Sequence, residues 1–145
     1  MSSTQQTVKN SPTLEKSYLA LIEFLMLTKR HIIEHGSNYD LTSMQAMTLF
    51  MLDRPRPMNN FKKTFNCDAS NVTGIVDGLE EKHLAARFED PNDRRIKMVQ
   101  LSRKGAAVRT TLLNEVTGPD SYILSKLTSE EVQTFIHLVE KITAE

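Results

Sequence analysis

The sequence predicts a mainly helical α+β fold: four helices, one β-hairpin, then two more helices. Three observations predict it. Apolar residues recur at three- and four-residue spacing along most of the chain, which gathers them on one face of a helix. That period gives way once, at residues 87–101, to two strand-like runs around a cluster of turn formers. Glycine and proline are scarce, five of each in 145 residues, and 39% of the chain is hydrophobic, enough for long elements and a core.

Residues 1–12 are rich in Ser, Thr and Gln, lack the basic start and apolar stretch of a secretion signal, and read as a flexible tail. Leu14, Tyr18, Leu21, Leu25, Thr28 and Ile32 then form one helical stripe, widened by Ile22, Met26 and Ile33. So broad a face predicts packing against more than one small domain. Gly36, Ser37 and Asn38 supply its stop signal. Thr42 opens a second helix, with Gln45 at capping-box spacing and Ala46, Leu49 and Phe50 facing inward. Pro55 and Pro57 end it and force an extended connection.

Met58, Phe61 and Phe65 share a face of a short third helix. Asn66-Cys67-Asp68 is a turn, and Asp68 is a good N-cap for a fourth helix over 69–83, with Val72, Ile75, Val76 and Leu79 buried. Two short helices joined by such a turn make a helix-turn-helix. Strands follow at 87–89 and 95–101 about the turn Asp90-Pro91-Asn92-Asp93, the arrangement called a wing. Ser102 caps a fifth helix carrying Ala106, Val108, Leu112, Leu113 and Val116, which Gly118-Pro119 breaks. Thr128 and Glu131 form a second capping box for a last helix with Val132, Phe135, Ile136, Val139 and Ile142 on its apolar face.

The 18 basic and 18 acidic residues cancel, but they are segregated. Residues 54–109 hold 12 basic against 7 acidic residues, a balance of +5, while 1–53 carry −1 and 110–145 carry −4. A basic middle between acidic flanks suits a nucleic-acid-reading lobe on a separate scaffold. The single cysteine, Cys67, rules out an intrachain disulfide framework, and no apolar run approaches the roughly 20 residues of a membrane span, so a cytoplasmic protein is expected.

Asp90-Pro91-Asn92-Asp93-Arg94-Arg95, followed after five residues by Leu101-Ser102 and then Lys104-Gly105, resembles the wing signature of the MarR family of transcription regulators. The stretch from Ser70 to Glu80 is similar to that family's recognition helix. The resemblance implies a winged helix-turn-helix over 41–109. It also implies a homodimer built from a helix at 13–40 and the C-terminal helices at 110–145. Such a dimer would bind a pseudo-palindromic site in double-stranded DNA, as a repressor released by a small-molecule effector. In the family such effectors lodge near the junction of the second helix with the lobe, where Met44, Met47 and Met51 cluster here.

Ser70, Asn71 and Thr73 are short polar side chains in the first turns of the fourth helix, where base edges lie closest. Gly74 costs a helix about 1 kcal/mol and would allow its backbone close to DNA. Gly78 departs from the resemblance, which puts arginine there, and implies one phosphate contact fewer. Arg94 and Arg95 at the wing tip either enter the narrow minor groove or pair with Asp90 and Asp93. The resemblance implies a division: Arg94 free to reach DNA, Arg95 tied to Asp93 or Asp68 to brace the wing. Lys62, Lys63, Arg87, Lys97 and Arg103 are candidate phosphate contacts.

Cys67 reads as a half-buried turn residue. His31 and His35 have i, i+4 spacing but no third ligand, so neither a metal nor a cofactor is expected. The chain shows no nucleophile–base motif, phosphate loop or metal box that would suggest an enzyme. The competing reading is a winged-helix module that docks proteins without specific DNA binding, for which the neutral charge and Gly78 speak.

Overall fold

A computed structural model describes residues 12–119 and 123–144. The tail expected over 1–12 lies outside the described residues except for Pro12, which opens the first helix. The described elements run α1 (Pro12–Ser37), α2 (Ser43–Met51), β1 (Arg56–Pro57), α3 (Met58–Phe65), α4 (Ala69–Glu81), β2 (Ala85–Glu89), β3 (Lys97–Leu101), α5 (Arg103–Thr117) and α6 (Ser129–Thr143). The mainly α, α+β class is as expected: six helices and a small antiparallel sheet of order β1-β3-β2. No helix among the described residues is long and apolar enough to cross a membrane.

Local chemistry sets most boundaries. The Thr42 hydroxyl accepts the Gln45 N–H while the Gln45 side chain accepts the Thr42 N–H, and Thr128 and Glu131 repeat this exchange on α6. Asp68 and Ser102 cap α4 and α5 through the N–H groups of Asn71 and Gly105.

The differences from expectation have physical reasons. Gly36 is not a left-handed stop. It is buried in α1, and a Cβ there would stand 3.3 Å from the Ala46 Cβ, so it serves the close approach of α1 to α2. α4 ends at Glu81, two residues early, because His83 turns left-handed (φ 58°) and the Leu84 N–H closes on the Leu79 carbonyl at 2.9 Å. β3 starts at Lys97 rather than Arg95, because the Asp93 carboxylate and carbonyl accept the N–H groups of Arg95 and Ile96 at 3.1 and 2.9 Å. The extended link at Arg56–Pro57 is a third strand, pairing with Val99 and Met98. Pro57 sits at the sheet edge, where its missing N–H costs least.

Among the described residues the buried hydrophobic side chains all fall between Leu41 and Leu112, with Leu49, Phe61, Val76, Leu79 and Val99 nearly sealed from solvent. α1 contributes only Gly36 and α6 contributes no buried residue. Two polar ties on α5 join this core to α1 and α2. The Glu115 carboxylate accepts from the Tyr39 hydroxyl at 2.8 Å and stands 3.2 Å from His35 Nδ1, while the Arg109 guanidinium donates to the Phe50 carbonyl near the end of α2.

Candidate nucleic-acid interface

α4 is two-sided by sequence period. Val72, Val76 and Leu79 point into the core, so Ser70, Asn71, Thr73 and Gly74 are left on the exposed side. A Cβ at Gly74 would meet nothing within 4 Å, so this glycine opens the helix surface without serving internal packing. Asp68 fixes the start of the helix. Its carboxylate accepts the Asn71 N–H at 2.9 Å and the Ser70 hydroxyl at 2.7 Å, and these bonds hold its pKa below the usual carboxylate value.

The wing is held by its own acids. Asp90 accepts the N–H groups of Asn92 and Asp93, and its own N–H donates to the Ile96 carbonyl at 3.0 Å. Asp93 grips Arg95 from Nε and Nη2, both at 3.0 Å, and these bonds lower the Asp93 pKa. The Arg95 side chain is nevertheless 90% exposed. Asp68, the other partner the resemblance offered, faces its own helix start. Arg94 is exposed and makes no hydrogen bond or ion pair among the described residues. At the base of the wing the Ser102 hydroxyl donates to the His83 carbonyl at 2.6 Å, and a Cβ on Gly105 would collide with the Leu84 carbonyl.

Lys62, Thr73, Arg95 and Lys97 come together, with Asn59 and Ala69, around a groove of about 250 Å³ between α3, α4 and the wing. Asn59 was not singled out from the sequence. Its signal is its position just off the Met58/Phe61/Phe65 face, one helical turn before Lys62 and Lys63. Lys97 also crosses the wing to Glu89 at 2.7 Å. Lys63 is exposed on α3 and Arg103 is exposed at the start of α5, away from this groove.

Arg87, expected as a phosphate contact, is engaged with carboxylates of the lobe itself. Its guanidinium donates to Glu80 at 3.0 and 2.6 Å and to Asp77, and its backbone N–H donates to Glu80 at 2.8 Å. The side chain is turned back to pin β2 onto α4, and the bonds from Arg87 hold the Glu80 pKa down. A Cβ at Gly78 would meet the end of the Gln45 side chain on α2, so this half-buried glycine lets α4 lie close against α2.

A second, apolar pocket of about 260 Å³ lies between α1, α5 and α6, bounded by Phe24, Thr28, His31, Phe50, Val116 and Phe135. None of Met44, Met47 and Met51 lines it, and Met51 packs against the core. His31 Nε2 is buried without a hydrogen-bond partner among the described residues, and the His31 and His35 rings meet edge to face at 4.4 Å. Cys67 is half-buried and packs against the core.

The model of the MarR family matches residues 41–97. The chain is 23% identical over 139 residues to the HTH-type transcriptional regulator MhqR of Bacillus subtilis, covering 96% of this chain and 92% of that one. It is 28% identical over 117 residues to the multiple antibiotic resistance protein MarR of Escherichia coli, covering 78% and 81%. A crystal structure of a mutant of that MarR complexed with operator DNA superposes with a TM-score of 0.64 at 27% identity, covering 92% of this chain and 99% of that one. The regulator BldR from Sulfolobus solfataricus shares the fold, with a TM-score of 0.70 at 22% identity over 91% and 97% of the two chains. The basic helix-turn-helix lobe with its braced wing is thus matched by the MarR family model over residues 41–97, and over most of its length the chain is similar to transcriptional regulators, MarR of Escherichia coli among them.

Proposed function

We propose that this regulator binds a pseudo-palindromic operator in duplex DNA as a homodimer, represses transcription there, and is released by a small-molecule effector. The observation that carries the DNA reading is the pairing of two exposed surfaces on one rigid lobe. The polar face of α4 presents Ser70, Asn71 and Thr73, and the wing beside it presents an unpaired Arg94. α4 fits a major groove and Arg94 the adjoining minor groove. Lys62, Lys63, Lys97 and Arg103 contact phosphates, and Asp93 braces the wing through Arg95. The structure solved with operator DNA supports this as a similar fold in use. The packing of Gly78 against Gln45 on α2 gives this glycine a role inside the lobe and supports the DNA reading over that of a protein-docking module.

The dimer reading rests on apolar surface that the single chain leaves in water. Leu14, Leu21 and Leu25 on α1 and Ile136, Val139 and Ile142 on α6 are exposed, Ile142 to 72%. A patch of this kind marks an interface, so α1 and the C-terminal helices form the scaffold and residues 41–109 the DNA-binding lobe. The apolar pocket between α1, α5 and α6 supports an effector site. Footprinting upstream of the protein's own coding sequence tests the proposal. Two protected half-sites about one helical turn apart are expected, with a dimer in sedimentation that Leu21→Asp disrupts. A folded monomer that protects no site would refute it.

A further inference from the structure

The hydrogen bonds on α4 carry a statement about which bases it reads, resting on the proposal that this helix enters the major groove. The Ser70 hydroxyl donates to Asp68 at 2.7 Å and the Thr73 hydroxyl donates to the Ala69 carbonyl at 2.9 Å. Both hydroxyl hydrogens are therefore spent inside the helix. What these residues turn outward is oxygen lone pairs and the Thr73 methyl group, beside the exposed Ala69 methyl. α4 has no lysine or arginine anywhere in its length; its charges are Asp77, Glu80 and Glu81, the first two taken by Arg87. The nearest cations, Lys62 and Arg95, border the groove beside α4, and Arg95 is tied to Asp93. The exposed Asn71 side chain is the one donor group on this face.

Guanine offers only acceptors, N7 and O6, to the major groove and is read mainly by arginine or lysine. Adenine offers an amino donor beside N7, which an asparagine amide matches with two bonds, and thymine offers its C5 methyl. A face made of acceptors, methyl groups and one asparagine lacks the donors for guanine; its oxygen acceptors fit the amino group of adenine or of cytosine, and it is the Asn71 amide and the Thr73 methyl group that single out adenine and thymine. We infer that the base pairs under the first two turns of α4 are A·T or T·A, with Asn71 selecting an adenine and Thr73 selecting a thymine through its methyl group. Guanine specificity in the operator is then absent from the positions α4 contacts.

The test is selection of the full-length protein on a library of random duplexes at low salt, followed by replacement of each thymine in the selected site by deoxyuridine, which removes only the methyl. A·T pairs should dominate the α4 positions of each half-site. One replacement in each half-site should weaken binding of the dimer about fifteenfold, about fourfold for each of the two buried methyl groups. Thr73→Ser should abolish that sensitivity, and Thr73→Val, which keeps a methyl, should preserve it. A guanine-centred half-site, or a deoxyuridine effect unchanged in Thr73→Ser, would overturn the inference while leaving DNA binding intact. Failure to retain any duplex would overturn it together with the major-groove reading.

Discussion

Arg87→Ala separates an arginine that holds the lobe together from one that holds DNA. In the structure the guanidinium joins two carboxylates of α4 to the first strand of the wing, with bonds to Glu80 at 3.0 and 2.6 Å and a further bond to Asp77. The side chains of Arg87, Glu80 and Asp77 are 28%, 32% and 48% exposed, so water replaces part of what the mutation removes. A charge-assisted bond is worth about 1.5–3 kcal/mol when sheltered. Discounted for solvent, the loss here is about 1–2 kcal/mol, because the backbone N–H of residue 87 still serves Glu80. That corresponds to a fall of roughly 3–6 °C in Tm. The pH dependence follows the same contact. Glu80 titrates lower in the fold than its free value of 4.5, so the stabilisation is present above that value and is lost as pH falls through the lower, folded one. Arg87→Ala should flatten this acid limb. Differential scanning calorimetry, with DNA affinity measured across salt, checks both halves. A variant of unchanged stability with weaker binding and a shallower salt dependence would refute the argument and return Arg87 to the phosphates.

Two helical glycines should respond to alanine with opposite signs. Gly74→Ala, facing open space, should stabilise the protein by about 1 kcal/mol while weakening DNA binding. Gly105→Ala, which drives a methyl into the Leu84 carbonyl, should destabilise it by about 1–3 kcal/mol; thermal melts of both decide this. Arg95→Ala should speed amide exchange at Arg95 and Ile96, whose N–H groups close the wing on Asp93; unchanged protection would mean the turn does not need the guanidinium. His31 titrates below its ordinary value because of burial and then the neighbouring His35, with Glu34 opposing. Its contribution to stability is therefore complete above about pH 6.5 and lost as pH falls below it. His31→Leu should melt with less pH dependence between about pH 5 and 7.5, and equal slopes for the two proteins would contradict this.

What could be read from the sequence was local. Thr42 with Gln45, Thr128 with Glu131, and the caps Asp68 and Ser102 act over three residues, and each stands where its helix begins. The apolar period of α1 showed a face too broad for one small domain, and that face is exposed, as are Ile136, Val139 and Ile142 on the apolar face of α6. The rest depends on residues distant in sequence. β1 exists only because Arg56 meets Val99. Arg87 has the composition of a DNA contact, and only its partners on the preceding helix assign it to the fold. Gly78 sits between the exposed and buried faces of α4, so its direction needed Gln45 on α2 to define it. On the wing, adjacency in sequence offered Arg94 and Arg95 equal roles; the resemblance divided them, and of the two partners it offered for Arg95 the structure has Asp93.

The most direct test of a winged lobe that holds duplex DNA is the affinity of the intact protein for an operator-length duplex across about 50–300 mM salt, with Arg94→Ala alongside. Phosphate contacts release counterions, so log affinity should fall steeply and linearly with log salt. Arg94→Ala should fold normally, bind about 1–3 kcal/mol more weakly, and lose roughly one unit of slope for each phosphate charge removed, twice that in the symmetric dimer. Binding that is weak and indifferent to salt, or a wild-type slope retained by Arg94→Ala at full affinity, would contradict the account.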